Sequence, residues 1–373
     1  MMRILFQTIG VLVQYNWALP YYLSTLPEGI KIDNLTNLFS YLMGGYYYHL
    51  KSLGKITPIF EKTGVKNAKT LDRISKIIRI KKLVMGKNYD IIHLNRYDEE
   101  LLARNSPKIF TFHGSLDIAH EKNVPQICEK LNEVYSKVEA FIAPSFHSAR
   151  TIQDLCGFKP KVIHNGVDIA IFNPFNISSE KARAKLSLPK NKKIILWTGR
   201  MDPDKGLHIL IKALPLIIKE RNDILVVVKG RTTDRCYLER INRLTGRLGV
   251  RKYIVYRIGW TPNIKMIYYY YRAADVYVHT SFSEGFSLAL LEAMASGIPV
   301  IGNKTSSIPE ALGDTGLLFE GAEKDLAQKI LEVLTDKSKA IKLGLSAFGR
   351  IIESGFTIRN MAKKYLEVYD VFK

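Results

Sequence analysis

The stretch from Asp275 to Ile301 limits most tightly what this chain can fold into. Asp275-Val276-Tyr277-Val278 is short and rich in β-favouring residues, and it reads as a buried strand. Ser283-Glu284-Gly285 follows as a turn, with Ser283 placed to cap a helix from Phe286 to Ser296. Gly297 ends that helix, and Pro299 opens a second strand at Val300-Ile301. A strand, turn, helix and strand in this order is a building block of parallel sheet.

Two carboxylates stand out in this unit. Glu292 lies in Leu288–Ala295, a helix with almost no polar face, and a helix apolar all round is buried. An ionised carboxylate there is costly unless something pairs with it. Glu284 lies where the first helical N–H groups point outward, a terminus that favours anions. An acid at that place can orient the hydroxyls that accompany an anion. A salt bridge to a lysine elsewhere would explain either glutamate alone. The pair, with seven residues between them, reads as a functional site.

At 373 residues the chain is long enough for two domains of ordinary size. Apolar content of 47% and charged content of 24% are those of a soluble globular protein. No apolar run reaches the roughly 18 to 20 residues that span a bilayer. The start, Met2-Arg3-Ile4-Leu5-Phe6, is broken by Gln7 and Thr8 and reads as a first strand rather than a signal peptide. Cys128, Cys156 and Cys236 are scattered and odd in number, which argues for a reducing interior and against a disulfide framework or zinc site.

The net charge of +20 fits several partners: nucleic acid, an anionic membrane surface, a phosphate-bearing substrate, or none beyond solubility. The most basic element is a helix expected from Lys69 to Lys87. Leu71, Ile74, Ile77, Ile78 and Leu83 form its apolar face, and Arg73, Lys76, Arg79, Lys81 and Lys82 surround it. Such a helix can lie on a membrane, or it can pack on a sheet as an ordinary surface helix.

Strands are expected at Arg3 to Thr8, Ile56 to Phe60, Asp90 to Asn95, Lys108 to Phe112, Ala140 to Ala143 and Lys161 to Ile163. Helical stretches between them give a doubly wound α/β domain. After a polar connection at 176–191 the pattern restarts with strands Ile194 to Trp197 and Ile224 to Val228 around a helix from Leu207 to Glu220. Two Rossmann-like halves therefore meet near residue 188.

Gly199-Arg200-Met201-Asp202-Pro203-Asp204-Lys205-Gly206 lies between a strand and a helix. A glycine lets backbone approach a ligand, and the helix offers its positive end. Arg200 can grip two phosphate oxygens in a fork and Lys205 can add a point charge, or both can be solvated in a plain loop. His113 follows a strand end, where ligands gather in open α/β sheets, or it is a hydrogen-bonded loop histidine. His93, His147 and His164 read as structural.

Glu284 and Glu292 resemble the paired glutamates of retaining glycosyltransferases of family 4. So do Ala274-Asp275-Val276, Ser281, Glu284-Gly285-Phe286, Glu292-Ala293-Met294, Gly297-Ile298-Pro299-Val300 and Pro309-Glu310, in order and spacing. The resemblance implies the GT-B fold: two Rossmann-like doubly wound domains facing a central cleft. It places an acceptor-binding domain at 1–187, a nucleotide-sugar-binding domain at 188–355, and a helix at 356–373 that crosses back. The resemblance implies that Glu292 holds the nucleotide's ribose and that Glu284 contacts hydroxyls of the donor sugar. Arg200 and Lys205, after Gly199, would clamp the diphosphate. The backbone of Gly285, Phe286 and Ser287 would face the phosphates or the sugar. His113 would sit beside the reacting bond, and Gly10 and Asn165 would complete the substrate contacts. The resemblance implies no cofactor and no metal.

This chain departs from the family at Ser306-Ser307, where a glycine pair is usual, and at Lys229-Gly230-Arg231, where a more acidic glycine loop is usual. The expected activity is transfer of a sugar from a nucleotide-diphosphate sugar to a saccharide, lipid-linked or other hydroxyl acceptor. The expected location is cytoplasmic, with peripheral contact at the membrane's inner face. Two alternatives stay open: a sugar-phosphate synthase or phosphorylase of GT-B type, and a basic nucleic-acid- or membrane-binding protein on that scaffold. Nucleic-acid binding would call for a stacking or base-reading module, and none is recognisable.

Overall fold

A computed structural model describes residues 2–6, 31–34, 89–95, 97, 102, 105–117, 123–232, 234–259, 261 and 263–372. The expectations for Gly10, the strand at Ile56 to Phe60 and the basic helix at 69–87 lie outside these residues. The chain divides into two compact units. One is Met1–Phe112 with Lys130–Ile142 and Ala362–Lys373; the other is His113–Glu129 with Ala143–Met361.

The first sheet contains β1 (Arg3–Phe6), β2 (Lys31–Asn34), β3 (Ile91–Leu94), β4 (Lys108–Thr111), β5 (Ala140–Ala143) and β6 (Lys161–Val162), in the order β2-β1-β3-β4-β5-β6. All four residues of β3 are buried. A strand buried on consecutive residues is covered on both faces, as parallel sheets require. Within this unit His93 bonds Tyr369 at 2.5 Å through Nδ1 and Thr111 at 2.9 Å through Nε2. Thr111 in turn bonds Tyr365 at 3.0 Å. The polar atoms of His93 are thereby satisfied inside the core.

Helices α1 (Val124–Tyr135) and α2 (Phe146–Cys156) flank β5 in the chain, and α3 (Ser179–Lys185) precedes the second sheet. The cysteine expectation is corrected here. Cys128 on α1 and Cys156 on α2 form a disulfide with Cα atoms 4.9 Å apart, while Cys236 is free and exposed. Their separation of 28 residues carried no sign of pairing, because helix packing rather than chain spacing brings them together.

The second sheet holds β7 (Lys193–Met201), β8 (Ile224–Thr232), β9 (Ile254–Ile258), β10 (Val276–His279), β11 (Val300–Asn303) and β12 (Leu317–Phe319). Its order is β9-β8-β7-β10-β11-β12, the arrangement of a Rossmann sheet, and it reverses direction between β7 and β10. Ligands of such sheets bind beyond the carboxyl ends of the strands at that reversal. The intervening helices are α4 (Leu207–Glu220), α5 (Arg235–Arg247), α6 (Ile264–Ala273), α7 (Leu288–Ala295) and α8 (Ile308–Leu312), and α9 (Glu323–Thr335), α10 (Lys337–Glu353) and α11 (Ile358–Tyr369) follow the last strand. On α4, Leu207, Leu210, Ile211, Leu214 and Ile217 are buried at helical spacing.

Two local boundaries differ from the sequence reading. β7 continues through Gly199-Arg200-Met201, which pair with Gly230-Arg231-Thr232 of β8. A Cβ at Gly230 would sit 1.8 Å from the Gly199 carbonyl oxygen, so glycine is what lets these strand tips run together. α7 begins at Leu288, capped by Ser287, whose hydroxyl accepts from the Leu290 N–H. Ser283 is not the cap, because Gly285 and Phe286 bend before the helix begins and their carbonyls are held from outside it. The Gly285 carbonyl accepts from Ser145 at 2.6 Å and Ser148 at 3.2 Å, and the Phe286 carbonyl accepts from Asn165 at 2.8 Å. Among the described residues no helix is long and apolar enough to cross a membrane.

Arg183 on α3 ties the connecting helix to the second sheet. Its guanidinium donates to the carbonyls of Ala273, Lys190 and Lys192 and to Asp275 at 2.6 Å. Asp275 also accepts from the Ile194 N–H at the start of β7. Removing the guanidinium strands the buried Ala273 carbonyl and leaves three half-covered acceptors without it, so Arg183→Met should cost about 2 to 3 kcal/mol in urea unfolding.

Candidate active site

The carboxyl ends of β7 and β10 set the geometry. After Met201 the chain makes a 3₁₀ turn over Pro203–Lys205 and leaves it through Gly206 at φ 66°. A Cβ there would meet the Thr280 carbonyl oxygen at 2.2 Å, so the turn is pressed directly against the end of β10. Thr280 fastens it from the other side. Its hydroxyl donates to the Lys205 carbonyl at 2.7 Å and accepts from Trp197 at 2.9 Å.

This leaves the Lys205 ammonium 2.6 Å from Oε1 of Glu284 and 3.3 Å from the Ser281 hydroxyl. The two side chains are only 17% and 14% exposed. His279 Nε2 lies 3.3 Å from the same carboxylate oxygen. Burial pushes the Glu284 carboxyl up, but Lys205 and His279 together outweigh it and hold the group well below the usual carboxylate range. Glu284 is therefore a fixed negative charge inside a cationic frame.

Ser306 and Ser307 lock the Glu284 backbone. The Glu284 N–H donates to Ser306 at 3.0 Å, and both serine hydroxyls donate back to its carbonyl, at 2.7 and 2.9 Å. Ser306 adopts φ 55°, a left-handed conformation that favours glycine. The chain keeps the glycine backbone shape at this place and uses the added hydroxyl to hold the loop.

Gly285 passes close under His113 and Gly114. A Cβ at 285 would lie 2.8 and 2.7 Å from their carbonyl oxygens. The His113 imidazole has a buried Nδ1, and burial lowers its pKa to about 3, which keeps it neutral. Among the described residues no acceptor reaches the backbone N–H groups of Gly285, Phe286 or Ser287. Phe286 itself is core, packed edge-on to Phe356.

Glu292 points from α7 into the protein and accepts from the Tyr271 hydroxyl at 2.8 Å. Burial, only partly offset by that hydrogen bond, raises its carboxyl to about 7. Arg200 stands nearer solvent, 46% exposed, with Nε 3.3 Å from Asp202. Its strand neighbour in register is Arg231, whose basicity is lowered by burial and then by the charge of Arg200.

The structure thus joins Lys205 directly to Glu284, sets Gly285 against His113, and links Asn165 to Phe286. Gly199 lies in the strand tip, Arg200 keeps apart on Asp202, and Gly10 lies outside the described residues. Sequence reading missed the polar core around the glutamates: Thr198, Tyr271, Tyr277 and His279. The signal for it was Tyr277 and His279 two apart on a buried strand, which places both on one face of the sheet.

A model of the group 1 glycosyl transferases matches residues 178–348, and a model of Glycosyltransferase Family 4 matches residues 48–171. The chain belongs to glycosyltransferase family 4. A D-inositol 3-phosphate glycosyltransferase of Corynebacterium glutamicum is 31% identical over 193 residues, 50% of this chain and 46% of the relative. Spore coat protein SA of Bacillus subtilis is 31% identical over 241 residues, 61% of each chain. The chain spans about half the length of the inositol-phosphate relatives it matches. Among solved structures, a sucrose-phosphate synthase of Thermosynechococcus elongatus aligns with TM-score 0.77 and 19% identity over 99% of this chain and 98% of that one. Anabaena HepE in complex with UDP and glucose aligns with TM-score 0.73 and 21% identity over all of both chains. These likenesses establish the GT-B fold for this family member, with two Rossmann-like domains.

A raised carboxyl stabilises the folded state below the ordinary carboxylate pKa and loses that contribution as pH climbs through the folded value. For this family member the interval runs from about 4.5 to about 7 at Glu292. Glu292→Gln keeps the neutral shape at every pH. Between pH 5 and pH 8, urea unfolding should therefore show the variant gaining about 2 to 3 kcal/mol relative to wild type.

Proposed function

We propose that this family 4 glycosyltransferase moves a sugar from a nucleotide-diphosphate sugar to a hydroxyl acceptor, with retention of anomeric configuration. The observation that carries the reading is the buried Lys205–Glu284 pair at the reversal point of the second sheet, with Glu292 one helix away. Charge grows on the diphosphate as the sugar departs, and Lys205 and Arg200 stabilise it from the β7 side. Glu284, ionised and fixed, accepts from hydroxyls of the donor sugar. Glu292 accepts from the ribose hydroxyls. Neutral His113 orients the sugar or shares charge at the anomeric centre instead of acting as a strong base.

UDP and UDP-glucose in the HepE structures support a nucleotide-sugar as the donor class. The acceptor is a saccharide or lipid-linked saccharide. The net charge of +20 suits one that is itself anionic or is presented at an anionic surface, as the inositol-phosphate relatives' name also suggests.

Thermal unfolding against a panel of nucleotide-sugars tests the donor. A ligand that binds only the native state at 100 times its Kd adds about 2.7 kcal/mol. One donor should raise the melting temperature of the wild type, and Glu292→Ala should lose most of that shift. With the donor known, Lys205→Ala should lower kcat by about 100- to 1000-fold. No shift with any donor, alongside tight binding of oligonucleotides, would replace this reading with the nucleic-acid one.

A further inference from the structure

The two family glutamates are joined through the core by an unbroken line of side chains. From Glu292 Oε2 the steps are Tyr271 hydroxyl at 2.8 Å, Thr198 hydroxyl at 3.2 Å, Tyr277 hydroxyl at 3.0 Å and His279 Nδ1 at 3.0 Å. His279 Nε2 then faces Glu284 at 3.3 Å, and Lys205 closes the line at 2.6 Å. Tyr271 and Tyr277 are fully buried and His279 is 4% exposed, while Thr198 and Glu292 are half-buried.

Each hydroxyl in the line has one proton to donate, so the hydrogen bonds must all point the same way. With Glu292 protonated they run outward from it: Glu292 to Tyr271, Tyr271 to Thr198, Thr198 to Tyr277, and Tyr277 to His279 Nδ1. A neutral imidazole then carries its proton on Nε2, toward Glu284. With Glu292 ionised every bond reverses. Tyr271 donates to the carboxylate, and His279 Nδ1–H must donate to Tyr277. Nε2 must also keep its proton, since a bare ring nitrogen beside the Glu284 carboxylate would be repelled. The second arrangement therefore needs an imidazolium.

We propose that Glu292 and His279 share one proton through Tyr271, Thr198 and Tyr277, so that ionising Glu292 for a nucleotide's ribose makes His279 cationic beside Glu284. One O–H bond breaks at Glu292, one N–H bond forms at His279 Nδ1, and each hydroxyl between passes on one proton and receives one. No proton leaves the protein. Tyr271, Thr198, Tyr277 and His279 are positioning residues: they deliver positive charge to the Glu284–Lys205 frame when the nucleotide site fills. The groups facing His279 are Tyr277 on its own strand and Glu284, with Lys205 behind it; Tyr271 on α6 faces Glu292. The proposal rests on the reading that the ribose lands on Glu292.

Titration calorimetry of UDP, GDP and ADP at about pH 6, in buffers of different ionisation enthalpy, counts the protons released on binding. Wild type should release close to none beyond the nucleotide's own. Tyr277→Phe keeps the ring and cuts the line, and should release nearly one more proton per site, because Glu292 then gives its proton to solvent. Equal release by both proteins overturns the proposal. Thr198→Val cuts the same line if Tyr277→Phe fails to fold.

A second arm needs no ligand. In nitrogen NMR of the histidine rings, Glu292→Gln should move the titration of His279 in the wild-type background and leave it unmoved in Tyr277→Phe. No movement in either background refutes the shared proton. A wild type that binds no nucleotide while its His279 still answers to Glu292 would overturn the proposed function alone.

Discussion

A lysine and a glutamate 2.6 Å apart in a nearly dry setting organise the second domain's site. Neither charge is tolerable there alone. Lys205 is held by a turn that needs glycine at 206, and the turn is pinned by Thr280 and Trp197 from the sheet beneath. Glu284 is held by two serines across the loop. The backbone on both sides is therefore committed before any ligand arrives, as a preorganised electrostatic site requires.

Around this pair the fold spends polar groups where a parallel sheet would ordinarily bury aliphatic ones. Tyr271, Tyr277 and His279 fill positions in the layer behind the site, and each polar tip meets another. Glu310 plays the comparable part at the start of α2. It accepts from the Phe146 and His147 N–H groups at 2.9 Å each and from His164 at 2.7 Å. A carboxylate at a helix N-terminus satisfies orphan donors and the helix dipole together.

The second domain was legible because its signals are local. Val276–Val278, the apolar helix around Glu292 and Gly297-Ile298-Pro299 each state their element within a few residues, and the strands fell where periodicity put them. What stayed hidden depends on contacts across the chain. Ser287 rather than Ser283 caps α7 because Ser145, Ser148 and Asn165, far away in sequence, hold the Gly285 and Phe286 carbonyls outside the helix. Cys128 and Cys156 pair through helix packing. Lys205 could be read as a phosphate ligand, but its direct bond to Glu284 crosses 79 residues and has no trace in spacing.

Arg200 and Arg231 stand side by side in register on neighbouring strands at the end of the sheet. Burial first, and then the charge of Arg200, lowers the basicity of Arg231, and the strand ladder holds the two like charges side by side. An anion between such groups turns mutual opposition into shared attraction, and the gain exists only while the anion is present. At this rim of the sheet two like charges share one ladder, so each would gain from a negative charge set between them.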